Sequence, residues 1–212
     1  MAEFAPAPQL DDARISVQPG RVCPVTIGLM EPFESRGRAG GSSLPPLVVV
    51  GGAPATGKTT LAHRLAVELH LPLFTKDRIK ELLGDTLGAS DVPQSKQLGA
   101  ASYELLYAIT GWLLDAGTGA ILESNFWRGA SESSLQPLVA RAQAVLIHCE
   151  TAPNVVLQRF TERFDRGERH AVHFDIATVP RLHDGLRSGL FDPLDLPIPT
   201  LRVDTADGYD PP

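Results

Sequence analysis

The chain has 212 residues, 43% hydrophobic and 21% charged, a length and composition suited to one domain, or a domain with an extension, around one good core. A formal charge of −6 gives no whole-molecule attraction to nucleic acid, which leaves only a local basic cleft for such a partner and favours small substrates over long polynucleotides. Cys23 and Cys149, far apart and in no metal-type spacing, support neither a disulfide framework nor a thiolate metal site, and a reduced cytoplasmic setting fits them best.

Residues 1–45 are rich in Pro, Gly, Ser and charge and end in "ESRGRAGGSSLPP", so they read as a flexible extension ahead of a domain over 46–212. Within the extension, Val22, Val25, Ile27 and Leu29 suggest one short strand that Pro24 would confine to an edge. The first residues lack a basic segment followed by an apolar one, and no run approaches the ~18 apolar residues of a membrane span, so no membrane partner is expected.

From Leu47 the chain alternates short apolar runs with longer helical patterns, the mark of a parallel sheet covered by helices. Strands are expected at 47–50, 73–75, 120–123, 144–148 and 200–203, and helices at 58–70, 77–84, 94–116, 131–142, 153–165 and 174–190. Five strands with right-handed crossovers make a three-layer α/β domain whose ligands lie beyond the carboxyl ends of the strands.

The first strand runs straight into "GGAPATGKTT". Gly52, Ala53, Pro54, Ala55, Thr56, Gly57, Lys58, Thr59 and Thr60 form a G-x-x-x-x-G-K-T loop and its continuation. In such a loop backbone N–H groups encircle phosphate oxygens, the lysine reaches the β- and γ-phosphates, and the hydroxyl corresponding to Thr59 holds Mg²⁺. Leu61, Leu65 and Leu69 mark an amphipathic helix behind it, its N-terminal dipole aimed at the phosphates.

Beyond the second strand stands Asp77, in "FTKDRIKELL". It can take the proton of a hydroxyl that attacks a γ-phosphate, cap the next helix, or hold a ribose; the Gly-Lys-Thr disfavours the last. The third strand ends in "ILESNFWRG", where Glu123 can hold Mg²⁺ through water or serve as a buried ion-pair or capping partner. In the first case Asn125 would face the substrate, with Trp127 and Arg128 as further candidates for the pocket, although an aromatic there more often joins the core.

Farther on, "RFTERFDRGERHAVHFD" puts Arg159, Arg163 and Arg166 on one helix face, with Gly167 to turn the chain away. That face can fold over a nucleotide as a lid and neutralise charge on the transferring phosphoryl group, or stand in solvent paired with Glu162, Asp165 and Glu168. His170 and His173 offer a metal two ligands without a third group beside them.

Taken in order, "GGAPATGKTT", "TKDRIKELL", "LESNF", "RFDRGERHAVH" and "LRVDTAD" resemble the P-loop kinases that include phage-type polynucleotide kinase, chloramphenicol phosphotransferase and the zeta toxins, a group of small AAA-like ATPases. The resemblance covers about residues 46–206. It implies a P-loop NTPase fold with a five-stranded parallel sheet and helical lid, ATP or GTP and Mg²⁺ as cofactors, and transfer of the γ-phosphate to a hydroxyl. By position it implies Asp77 as base, Arg163 and Arg166 as lid arginines, Asp204 and Thr205 beside the purine base, and Lys80 as a substrate-holding residue. The chain departs from the group in its extension, in Glu123 where Asp is commoner, and in residues 86–118, which match no member closely and would select the acceptor. Candidate acceptors are an antibiotic, a nucleoside or sugar, a nucleotide sugar and a nucleic-acid 5′-hydroxyl. A regulatory ATPase without an acceptor, and a toxin kinase held in check by a partner, are the alternatives.

Overall fold

A computed structural model describes residues 44–167, 169–174 and 179–211. The strand expected within 22–29, Cys23 and the rest of the extension up to residue 43 lie outside the described residues. The elements are β1 (Pro46–Gly51), α1 (Lys58–Leu69), β2 (Leu73–Thr75), α2 (Lys76–Leu87), α3 (Val92–Asp115), β3 (Ala120–Glu123), α4 (Glu132–Val139), β4 (Gln143–Glu150), α5 (Pro153–Asp165), a 3-10 turn at Ala171–His173, α6 (Val179–Arg187) and β5 (Thr200–Asp204).

The sheet has the order β2-β3-β1-β4-β5, with every pairing parallel. β1 therefore lies in the middle, with the next two strands of the chain, β2 and β3, on one side of it and β4 and β5 on the other. A crevice opens at the carboxyl ends where strand order reverses in this way, and the glycine loop leads out of β1 into it.

Both faces of β1 are covered, which is why its sequence lacks polar alternation. Leu47 and Val49 pack with Leu106 and Leu114 of α3 and Leu135 and Leu138 of α4. Val48 and Val50 face the opposite way, toward Ala62, Leu61 and Leu65 of α1. The three layers follow from that alternation. A third cluster joins Ala53 of the glycine loop to Val156 and Phe160 of α5 and Leu182 of α6, tying the two late helices to the loop.

Three expectations need correction. Leu69, read as part of the buried stripe of α1, is 38% exposed at the helix end. The single helix expected over 174–190 is broken: Phe174 closes the 3-10 turn at φ 50°, a left-handed conformation no helix continues through. α6 starts only at Val179, and 175–178 lie outside the described residues. α4 also stops earlier than expected, at Val139, its end tightened by the Arg141 N–H bond to the Leu138 carbonyl.

Candidate active site

The glycine loop closes on itself before any ligand is considered. Thr56 Oγ1 and Lys58 Nζ both donate to the Ala53 carbonyl, each at 2.8 Å. Gly52 sits at φ 132°, and a Cβ there would overlap the carbonyl oxygen of Cys149 on β4. Gly57, at φ 77°, precedes the first turn of α1 and has no side chain with which to cap it. The first amides of α1 thus present donors and the positive end of the helix dipole to the crevice, an arrangement suited to phosphate. Burial pulls the Lys58 ammonium below its ordinary pKa, with Glu123 and Asp77 opposing and the charge of Arg163 adding to the fall. A bound polyphosphate would add to the negative charge that Glu123 and Asp77 set against this buried cation.

Thr59 Oγ1 donates to Glu123 Oε2 at 3.2 Å. Glu123 is 5% exposed, and burial pushes its carboxyl up, with Lys58 opposing. Register explains the meeting: Glu123 stands opposite Val50 on one side and Thr75 on the other, at the carboxyl edge of the sheet. A hydroxyl and one carboxylate, both hard oxygen donors beside a phosphate loop, fit Mg²⁺, which keeps most of its water and takes few protein ligands. Among the described residues no cluster of three or more His, Cys, Asp and Glu could hold a metal. His170 and His173 instead face carboxylates, Asp85 at 2.9 Å and Glu81 at 3.1 Å.

Asp77 is not the helix cap. Thr75 takes that place, its hydroxyl accepting from the Arg78 N–H at 3.3 Å, and Asp77 lies inside the first turn of α2. Each of its carboxylate oxygens meets a cation, Oδ1 with Lys76 at 3.1 Å and Oδ2 with Arg169 at 3.0 Å. Burial alone would raise the Asp77 pKa; Lys76, His173 and Arg169 together outweigh it and hold the carboxyl well below the usual range. Asp77 also acts on the titration of both Lys58 and Glu123, so the three share one electrostatic site. Asp77, Glu81 and Asp85, one turn apart on α2, are matched by Arg169, His173 and His170, and this ladder aligns the 169–173 segment with the helix.

The remaining candidates separate. Asn125 is half-buried, and its carbonyl accepts from the Tyr103 hydroxyl at 3.2 Å, while Tyr103 accepts from Ser124 Oγ at 3.0 Å. Lys76 Nζ lies 5.5 Å from the Tyr103 ring centre. Trp127 is 39% exposed and so stands outside the core. Lys80 is buried, and its ammonium donates to Ser95 Oγ at 2.7 Å, which in turn donates to the Val172 carbonyl at 2.6 Å.

The three arginines of the basic strip stand in different surroundings. Arg159 uses one terminal nitrogen to donate to the carbonyls of Thr205 at 2.9 Å and Ala206 at 2.7 Å. Arg163 contributes its charge near Lys58, and Arg166 caps the end of α5. Thr205 is buried, its N–H and hydroxyl both donating to the Glu150 carbonyl, and the Asp204 carboxylate accepts from the Ala206 N–H at 2.8 Å. Sequence reasoning missed Lys76 and Arg169 as partners of Asp77 and Tyr209 as a partner of Gly57. Adjacency to Asp77 was a signal for Lys76; Arg169 and Tyr209 reach across 92 and 152 residues, a separation that no local pattern reveals.

A phosphate loop at the switch point of a five-stranded parallel sheet, with an acid at the end of the adjoining strand, defines the architecture of a P-loop kinase. The model of a family described as AAA domain matches residues 47–187, and the chain belongs to that family, within its kinase-like group. A candidate kinase from Chloroflexus aurantiacus J-10-fl is 37% identical in sequence; the match covers 78% of this chain and 90% of that one, with a TM-score of 0.71. The protein APE1195 shares the fold at 16% identity and a TM-score of 0.52, over 76% of this chain and 86% of its own. A gluconokinase from Sinorhizobium meliloti 1021, also 16% identical, has a TM-score of 0.46 over 78% of this chain and 86% of that one. No curated protein matches the chain. Among the described residues no helix is long and apolar enough to cross a membrane.

Proposed function

We propose that the protein transfers the γ-phosphate of ATP or GTP to a hydroxyl of a small molecule, with Asp77 receiving the hydroxyl proton. The observation that carries this reading is the placing of Asp77 in the first turn of α2, two residues after Thr75, which pairs in the sheet with Glu123, the carboxylate bonded to Thr59 of the glycine loop. The acidic balance of the chain favours a small acceptor over a polynucleotide.

The backbone amides of Gly52–Thr60 and the Lys58 ammonium hold the triphosphate. Thr59 and Glu123 would hold Mg²⁺, which when bound neutralises charge on the β- and γ-phosphates. The acceptor oxygen attacks the γ-phosphorus in line, an O–P bond forms as the bond to the β–γ bridging oxygen breaks, and the proton passes to an Asp77 carboxylate oxygen. A carboxylate has about four lone-pair positions, so Asp77 can accept the acceptor hydroxyl while Lys76 and Arg169 remain bound. Its low pKa suits a loose transition state, in which the hydroxyl proton leaves late and orientation outweighs basicity. Arg163 and Arg166, as lid arginines, add positive charge over the equatorial oxygens, and Asp204 and Thr205 stand beside the base.

Incubation of the protein with γ-labelled ATP, Mg²⁺ and pooled antibiotics, nucleosides, sugars, nucleotide sugars and short oligonucleotides tests the proposal. Label should enter a small-molecule pool and fail to do so with Asp77→Asn. Phosphate release to water alone, indifferent to every pool and to the substitution, would replace the kinase with a regulatory ATPase.

A further inference from the structure

The loop after β5 is a closed platform beside the glycine loop. Asp204 and Asp210 exchange both backbone hydrogen bonds, at 2.8 and 2.9 Å, which seals the loop at its base. Thr205 ties it to the Glu150 carbonyl of β4, and Arg159 holds it to α5 through two carbonyls. Its tie to the glycine loop is made by Tyr209, whose hydroxyl donates to the Gly57 carbonyl at 3.0 Å. The Arg64 guanidinium of α1 lies 5.2 Å from the centre of the Tyr209 ring, and the ring packs with the apolar cluster between α1 and the sheet. A Cβ at Gly57 would stand 3.3 Å from the Tyr209 hydroxyl, so glycine there serves this approach as well as the φ of 77°. Tyr209 lies beyond residues 47–187 of the family match.

We infer that Tyr209 is a positioning residue for the nucleotide: it fixes where the base-contacting loop stands relative to the phosphates. The inference rests on the reading of Asp204 and Thr205 as neighbours of the base. The glycine loop does not depend on Tyr209 for its closure, because Thr56 and Lys58 already close it on the Ala53 carbonyl. Removing the tyrosine hydroxyl therefore leaves the phosphate grip intact and loosens the platform. A ligand that spans both loops must then order the platform on binding and loses affinity; a ligand confined to the phosphate loop does not.

The test is equilibrium binding of MgATP and of magnesium tripolyphosphate to the wild type and to Tyr209→Phe. One neutral hydrogen bond is worth about 0.5–1.5 kcal/mol, or roughly 2- to 12-fold in affinity. MgATP should weaken by about that factor while tripolyphosphate stays within about twofold. Arg64→Ala, which withdraws the cation from the ring, should shift the two ligands in the same unequal way. Equal weakening of both ligands would make Tyr209 a support of the phosphate loop and overturn the inference, as would no change in either. Wild type that binds MgATP no more tightly than tripolyphosphate would overturn the base-loop reading and this inference with it. No acceptor enters the experiment, so failure to find phosphoryl transfer would sink the kinase proposal alone.

Discussion

Asp77→Asn separates binding from chemistry most sharply. The substitution keeps the shape of the side chain, removes its charge, and leaves Thr75 in place as the cap of α2. Loss of a positioned base typically costs 10²–10⁴-fold in rate, equivalent to about 2.7–5.4 kcal/mol of activation free energy. Stability should change far less. The Asp77 side chain is 32% exposed, and ion pairs with that much solvent contribute only about 0–1 kcal/mol each, so losing those to Lys76 and Arg169 should lower the unfolding midpoint by no more than a few degrees. Affinity for MgATP should hold or improve, since the lost negative charge acts on the same region as the Lys58 ammonium. Single-turnover transfer from γ-labelled ATP, binding of a fluorescent ATP analogue and thermal unfolding read the three quantities separately. A variant whose transfer rate stays within about fivefold of wild type would refute the base assignment. So would one whose nucleotide affinity falls in step with its rate. The acid limb of the wild-type rate profile should also lie below the usual carboxylate range, because the Asp77 pKa is depressed in the folded protein and the group stays ionised until the pH drops past it.

Gly52→Ala should abolish MgATP binding and cost at least about 3 kcal/mol, since the left-handed backbone disfavours a side chain and the added Cβ meets the Cys149 carbonyl on a neighbouring strand; near-native melting and affinity would show that the loop yields more easily than its packing implies. The Cys149 thiol is fully buried and burial pushes its pKa up to about 11, so in a Cys23→Ser background iodoacetamide should label it at about pH 7.5 only after denaturation. Rapid labelling of the native protein would place Cys149 outside the core. His148 is buried 3.9 Å from Glu150, and burial, against the pull of Glu150, lowers its pKa from 6.5. The folded state therefore holds the ring neutral, and the stability this contributes, full above the unfolded pKa, is lost as pH falls from about 6.5 toward the folded pKa. The drop in unfolding temperature from pH 7.5 to 5.5, read by calorimetry, should accordingly be smaller in His148→Gln than in wild type; equal drops would remove His148 from the pH dependence.

Much of this protein is written locally in its chain. The run Leu47–Val50 specifies a strand buried on both faces, because it offers no polar position to solvent, and the glycine, lysine and threonine that follow specify a phosphate loop, because each residue type has a local task there. The spacing of strands and helices specifies a parallel sheet, since parallel neighbours need a crossover between them. Tertiary structure decided what spacing cannot express. Asp77 could cap or catalyse on sequence grounds; only the fold gives the cap to Thr75 and turns Asp77 toward Lys76 and Arg169. Among the arginines read as one helix face, Arg159 reaches across 46 residues to the loop after β5, a contact no local pattern reveals, while Arg166 ends α5 and Arg163 sets its charge near Lys58. Strand order decided the rest: it sets β3 and β4 on either side of β1, and so brings Glu123 to Thr59 and the Cys149 carbonyl to Gly52 across separations that no local periodicity encodes.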